Sequence, residues 1–146
     1  MTAKEYLQQL KNADMTIRQK IKELEDLRAM SLCTGGFDYK NERVQTSLSG
    51  DALYEKKVME IISDEKELRR AIKGYESTRR MIISQIRGLK NKKHAIFLYK
   101  RYVEFKKIWE IANEMGYTYQ YARELHGAAL KNFESSYTNL HSYVLL

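Results

Sequence analysis

The chain has 146 residues, a net charge of +7 and a hydrophobic fraction of 43%. This length allows one compact domain, or a small domain with an extended appendage. No apolar run is long enough to cross a bilayer, which excludes a transmembrane helix, and the polar start around Lys4 and Lys11 does not resemble a secretory signal. Cys33 is the only cysteine, so the sequence excludes an intrachain disulfide and favours a reducing, cytoplasmic location.

The first predicted helix begins at a capping box, in which Thr2 accepts a backbone N–H and Glu5 reaches back. It runs to about Met30 and carries two apolar rows at the seven-residue spacing of a coiled coil. Asp14 and Arg28 interrupt the second row. The rows are Leu10, Ile17 and Leu24, and beside them Leu7 and Ile21.

Residues 31–51 interrupt this pattern with loop-forming residues such as Gly35, Gly36 and Gly50, and we interpret them as a flexible loop. Asp51 caps a second long helix that continues to about Leu89. Its two rows again keep the seven-residue spacing: Ile61, Leu68, Tyr75, Ile82 and Leu89, and beside them Val58, Glu65, Ile72, Arg79 and Ile86.

The stretch after this helix predicts a small helical head. Gly88 and the polar run 90–93 are the predicted junction, and residues 94–102 predict a short helix that buries Ile96 or Phe97, Leu98 and Tyr102. The residues after 134 are interpreted as a tail.

Two helices joined by a tight turn are predicted over residues 107–133, the pattern of a helix-turn-helix. Gly116 follows the first helix, where the backbone needs positive φ, and Thr118 caps the second. The inward-facing residues are Ile108, Ile111, Ala112 and Met115 in the first helix and Ala122, Leu125, Ala129 and Phe133 in the second.

The positive charge is concentrated around this motif. Residues 1–78 contain fourteen Lys or Arg and fourteen Asp or Glu, whereas residues 79–134 contain twelve and five, which accounts for the whole excess of +7. A basic surface that coincides with a helix-turn-helix is typical of a protein that neutralises phosphates.

The segment RYVEFKKIWEIANEMGYTYQYARELHGAALKNF resembles region 4 of sigma-70-type factors, which reads the upstream promoter element. Its Ile-Ala, Gly-Tyr, Ala-Arg-x-Leu-His and Ala-Leu-Lys-x-Phe stand where that region carries similar residues. The whole chain resembles the phage-encoded late-gene regulators of the ArpU and RinA kind. Tyr119, Gln120 and Tyr121 replace an Arg/Glu-rich start of the recognition helix, so we expect a target other than the ordinary promoter element.

The start of the second motif helix is the predicted DNA-reading surface, because N-terminal residues of a recognition helix reach base edges. Glutamine pairs bidentately with adenine and arginine with guanine. For Tyr121, covering the small core and contacting DNA remain equally open. The predicted DNA-binding set comprises Thr118, Tyr119, Gln120, Arg123 and Glu124, the backbone contacts His126 and Lys131, and the basic residues Lys92, Lys93, Lys106 and Lys107.

No catalytic motif is present, and the three histidines have no metal-ligand spacing, so we expect neither an enzyme nor a cofactor or metal. Trp109 is expected to be a core or half-buried packing residue, with a role in binding as the alternative.

These patterns predict an all-α fold: a long antiparallel helical hairpin over 1–89, a helix-turn-helix domain over 90–134 and a tail over 135–146. The expected function is a sequence-specific transcriptional regulator, an activator of phage or prophage late genes that works with host RNA polymerase. The expected partners are double-stranded DNA in the bacterial nucleoid and a second copy bound through the coiled coil. The alternatives are the small subunit of a phage terminase and a structural coiled-coil adaptor.

Overall fold

The computed structural model describes residues 1–33 and 47–138, and every regular element among them is helical. The predicted all-α class is therefore confirmed for this part of the chain. None of the helices described is both long and apolar enough to cross a membrane. The elements are α1 (Ala3–Cys33), α2 (Ser47–Arg87), α3 (Lys92–Leu98), a π-helical segment (Tyr99–Val103), α4 (Ile108–Met115) and α5 (Tyr119–Ser136).

The capping box at the start of α1 forms as predicted. The Thr2 backbone N–H donates to Glu5 Oε2 at 2.9 Å, and the Glu5 N–H donates to Thr2 Oγ1 at 3.3 Å. Both long helices extend further than expected, because α1 continues to Cys33 and α2 begins at Ser47. Residues 31–33 and 47–51 of the predicted flexible loop are therefore helical, and Asp51 lies within α2 and not at the predicted cap. Residues 34–46 lie outside the described part of the chain.

The chain divides into two compact units. Residues 1–15 and the chain from Gly74 onward form the first, which we call the head unit, and residues 16–73 form the second, the middle unit. The predicted boundary between residues 89 and 90 does not coincide with this division. Residues on both sides of that boundary contribute to the main core of the head unit. This core joins the start of α1, the end of α2, α3, the π-helical segment and α5. Its residues include Tyr6, Leu10, Ile82, Ile86, Leu98, Tyr102, Ala129 and Phe133.

Contacts between the start of α1 and the end of α2 fix this core. Tyr6 is fully buried, its ring lies 6.1 Å from that of Phe133, and its hydroxyl donates to Gln85 Oε1 at 2.8 Å. A residue of the predicted coiled-coil region is thus part of the head.

A second core holds α4 against α5. Small side chains meet where the two helices approach, since Ala112 of α4 and Ala122 of α5 are both buried there. Phe97, Ile111 and Leu125 complete this core.

The predicted helix over residues 94–102 is present but changes type within its length. After Leu98 the backbone widens to π geometry, and the Glu104 N–H bonds back to the Tyr99 carbonyl at 3.1 Å. Phe97 is buried, whereas Ile96 is 47% exposed, which decides between the two residues that the sequence left open.

The end of α5 is more ordered than the predicted tail suggests. The helix continues to Ser136, and the ring of Tyr137 lies 5.0 Å from that of Phe133. The Tyr137 hydroxyl donates to the Gln85 carbonyl at 2.8 Å, so the fold extends past residue 134. The rest of the predicted tail, residues 139–146, lies outside the described part of the chain.

Candidate nucleic-acid interface

The turn between α4 and α5 has the local structure that its sequence predicts. Gly116 ends α4 in the left-handed region with φ of 70°, and the Tyr117 N–H returns to the Ala112 carbonyl at 2.8 Å. Thr118 caps α5, its hydroxyl accepting from the Tyr121 N–H at 3.2 Å. Both the glycine position and the cap are confirmed, and together they fix the direction in which α5 begins.

The first turns of α5 present a polar surface to solvent. Ala122 and Leu125 are buried against α4, and as a consequence the four residues that lie around them on the helix face outward. We call these four residues the α5 face; they line one shallow surface depression and are Tyr119, Gln120, Arg123 and Glu124.

The α5 face combines three kinds of hydrogen-bonding group. Gln120 offers an amide donor and acceptor, Arg123 a guanidinium fork and Glu124 a carboxylate acceptor. The Arg123 guanidinium lies over the Tyr119 ring, 5.9 Å from its centroid, a contact that limits the directions in which the arginine points. A surface of this composition can form bidentate hydrogen bonds with planar polar edges, as base pairs present in the major groove.

Tyr121 lies beside the α5 face and partly covers the turn. Its ring meets Tyr117 edge-on at 4.8 Å, and the residue is 41% exposed. One side of the Tyr121 ring therefore packs on Tyr117, and the other side is open to solvent.

His126 has contacts that favour a structural role. Its Nε2 lies 2.9 Å from the Tyr102 hydroxyl, and its ring is 5.7 Å from that of Phe97. Burial, followed by the Arg101 and Lys4 charges, lowers the pKa of His126 to about 4, so the imidazole is neutral at pH 7. A neutral, half-buried imidazole offers a backbone phosphate little attraction, in contrast to the contact predicted from the sequence.

Lys106 is placed in an ion-pair network. Its Nζ lies 2.6 Å from Glu114 Oε1 and 3.1 Å from Glu104 Oε2, while Lys100 Nζ lies 2.7 Å from Glu114 Oε2. These contacts raise the pKa of Lys106, chiefly through Glu114, and the two lysines lower the pKa of Glu114, Lys100 first. The charge of Lys106 is largely compensated within the protein.

The other predicted basic residues are exposed, at different places in the head unit. Lys107 precedes α4, and Lys92 and Lys93 begin α3. The start of α3 lies beside the later part of α5, because the His94 Nδ1 is 3.0 Å from the Asn132 amide nitrogen. The start of α3, with Lys92 and Lys93, therefore lies beside the later part of α5 and not beside the α5 face at its start. Lys131 itself follows Gln120 by three helical turns, about 16 Å along the same side of α5.

Trp109 lies near the start of α4 and is 52% exposed, so of the positions expected from the sequence it takes the half-buried one and is not part of the core. Ile108 and Ile111 occupy the inward positions of that helix, so Trp109 falls on its outer side.

Sequence reasoning missed the acidic partners of the basic residues. Lys100 and Glu114 are distant in sequence, and only the return of α4 toward the π-helical segment brings them together. No local pattern indicates such a pair. Among the residues that the structure describes, no group of three or more His, Cys, Asp or Glu side chains could hold a metal ion.

Comparison of the chain with known protein families, with characterised proteins and with solved structures finds no match.

Proposed function

We propose that this protein is a sequence-specific DNA-binding transcriptional regulator, with α4 and α5 as its helix-turn-helix and α5 as the recognition helix. In this proposal α1 and α2 form a long antiparallel hairpin that carries the motif. The resemblance of residues 93–134 to sigma region 4 supports a regulator of phage or prophage late genes that acts with host RNA polymerase.

One observation carries the proposal, namely the exposure of the α5 face. The apolar side chains at positions 122, 125, 129 and 133 are buried, whereas Gln120, Arg123 and Glu124 are exposed and lie outside the core of the head unit. Exposed residues of these types at the start of a helix match those that read bases in the major groove.

The surrounding charge supports the same interpretation. Lys92, Lys93, Lys107 and Lys131 are exposed, and none of them has an ion-pair partner among the described residues. Such side chains contact phosphates and set the orientation of a protein on the duplex, while base contacts supply the specificity. Mutation of a base-contacting residue should therefore lower specificity, whereas mutation of a phosphate-contacting lysine should weaken binding to all sequences alike.

The test begins with selection of bound sequences from random duplexes and continues with affinity measurements on the selected site. Gln120→Ala and Arg123→Ala should each weaken binding to that site by about 1–3 kcal/mol, because each removes a base contact. Binding to random duplexes should change little, since phosphate contacts dominate there. Gln19→Ala and Arg70→Ala provide matched controls at exposed positions outside the head unit.

The variants at Gln120 and Arg123 should unfold at nearly the wild-type temperature, since neither side chain is buried. If both keep full discrimination between the selected and random duplexes, α5 does not read bases and the proposal fails. Absence of any DNA binding at low salt would instead favour an adaptor, and a ring-shaped multimer without polymerase contact would favour a terminase subunit.

A further inference from the structure

The middle unit contains more apolar surface than its two helices bury. Leu24 is the only buried residue among its described side chains, with 6% exposure. By contrast, the core residues of the head unit are almost completely enclosed. Apolar side chains of both helices remain accessible, with Ile21 of the α1 rows at 38% and Ile62, which lies beside the rows of α2, at 43%. Two helices alone do not form a closed core, and apolar rows of this spacing ordinarily pack against further helices.

An open groove runs between the two helices of this unit. Ile21 and Leu24 of α1 and Leu68 and Ile72 of α2 form its apolar floor, and its volume is about 250 Å³. Charged residues of both helices line its edges: Glu25, Arg28, Glu65 and Arg69.

Only two of the four charged side chains at the groove form an ion pair with each other. Arg28 and Glu65 form an ion pair, which also shows that these two positions lie at the same level of the two helices. Glu25 and Arg69 are exposed and have no ion-pair partner among the described residues. Each edge therefore offers one uncompensated charge, and the two charges have opposite sign.

We propose that a second copy of this chain covers the groove, related to the first by a two-fold axis parallel to the helices. This operation places α1 of each copy over α2 of the other without reversing direction, so residues at one level remain opposite each other. Because residues 28 and 65 share a level, Ile21 lies at the level of Ile72 of the second copy. Glu25 and Arg69, and likewise Leu24 and Leu68, lie within one residue, about 1.5 Å, of a common level, so each pair faces across the interface. The result is a four-helix core.

The balance of charge favours this occupant over a different partner. Residues 16–73 contain twelve Lys or Arg and eleven Asp or Glu, so the unit is nearly neutral, with both signs at the groove. A strongly acidic or basic partner would find like charges on one edge. A second copy brings the complementary pattern to both edges at once.

Charge reversal tests the proposed pairing. Glu25→Arg and Arg69→Glu, each in the full chain, should raise the dimer dissociation constant at least about tenfold, because each places like charges opposite each other twice in the dimer. An equimolar mixture of the two variants should form a heterodimer of nearly wild-type affinity, since every facing pair is then again of opposite sign. Sedimentation velocity over a concentration series, with one variant carrying a fluorescent label, measures both quantities.

Two controls separate this result from general charge effects and from misfolding. Asp26→Arg and Arg70→Glu reverse exposed charges one position further along each helix, away from the groove, and should leave the dissociation constant unchanged. Circular dichroism should show wild-type helix content for all four variants.

In the mixture, opposite charges at positions 25 and 69 meet only when the two different variants pair. A mixture that associates as weakly as the single variants would therefore overturn the proposed register. A wild-type protein that remains monomeric at about 100 µM would overturn the dimer itself. The dimer does not depend on DNA binding, and either proposal can fail without the other.

Discussion

At the scale of single residues, Gly88 and Tyr137 form a contact that leaves no room for a larger residue. A Cβ atom at position 88 would lie 2.7 Å from the Tyr137 hydroxyl, which donates to the Gln85 carbonyl. Gly88→Ala should therefore displace the tyrosine and break this hydrogen bond, at a cost of about 1 kcal/mol in the free energy of unfolding. Urea denaturation provides the measurement.

The same contact predicts non-additivity. Tyr137→Phe removes the hydroxyl that meets the new Cβ, so adding Gly88→Ala to this variant should cost almost nothing further. An alanine that costs the same in both backgrounds would show that the hydroxyl is not the obstacle. Gly74→Ala provides a control, because a Cβ at that exposed helical position meets nothing within 4 Å.

Residue-scale predictions from the sequence succeed where the cause is local. Gly116 and Thr118 are recognisable because the end of one helix and the start of the next impose backbone requirements on the residues at the turn itself. The role of Gly88 depends on Tyr137, almost fifty residues later, and no local requirement reveals it. The sequence left Trp109 open between packing and binding for a related reason, since an apolar side chain does not show which side of a short helix will be covered.

At the scale of elements, the packing of α5 on the π-helical segment depends on a neutral histidine. Burial and the Arg101 and Lys4 charges lower the pKa of His126 from 6.5 to about 4. Between these values the unfolded chain binds the proton and the folded protein does not. Stability contributed by the neutral imidazole is therefore complete above about pH 6.5 and decreases as the pH falls toward 4.

Thermal unfolding between pH 7 and pH 4.5 should show this loss in the wild type and a smaller loss in His126→Gln, which keeps a hydrogen-bonding group near Tyr102. The window avoids the carboxylates whose pKa is lowered, Glu5 by its Thr2 hydrogen bonds and Glu114 by Lys100 and Lys106. Their contributions persist down to about pH 4.5 and are lost only below it. Equal pH dependence in the two proteins would mean that His126 titrates normally in the folded state.

Periodicity predicted the elements of the head more accurately than it predicted their boundaries. The inward positions of α4 and α5 follow from helical spacing, and all four predicted core residues of α5 are buried. The change to π geometry after Leu98 was not predicted from the spacing, and the two buried residues of this segment, Tyr102 and Val103, lie in the main core of the head unit.

At the scale of the whole molecule, the division into two units could not be predicted from the seven-residue rows. Leu7 and Leu10 belong to the seven-residue rows of α1, so the sequence assigns them to a coiled coil, whereas the structure places them in the core of the head unit. The rows report only that a side of the helix is apolar. Which element covers that side is decided by contacts between distant parts of the chain.

The charge of the molecule gives the final prediction, because the structure separates compensated from available basic residues. Lys100 and Lys106 are paired with acidic groups, which among the lysines predicted to bind DNA leaves Lys92, Lys93, Lys107 and Lys131 as exposed candidates for phosphate contacts. If each of these four lysines neutralises one phosphate, the logarithm of the DNA association constant should fall with the logarithm of salt concentration with a slope of about −4.

Single substitutions should then alter this slope unequally. Lys93→Ala removes a phosphate contact and should make the slope shallower by about 1, on selected and random duplexes alike. Lys106→Ala should change it much less, because Glu104 and Glu114 already hold that charge within the protein. Fluorescence anisotropy titrations at several salt concentrations supply the slopes. Equal changes for the two lysines would show that the ion-pair network opens on binding and that Lys106 reaches the DNA after all.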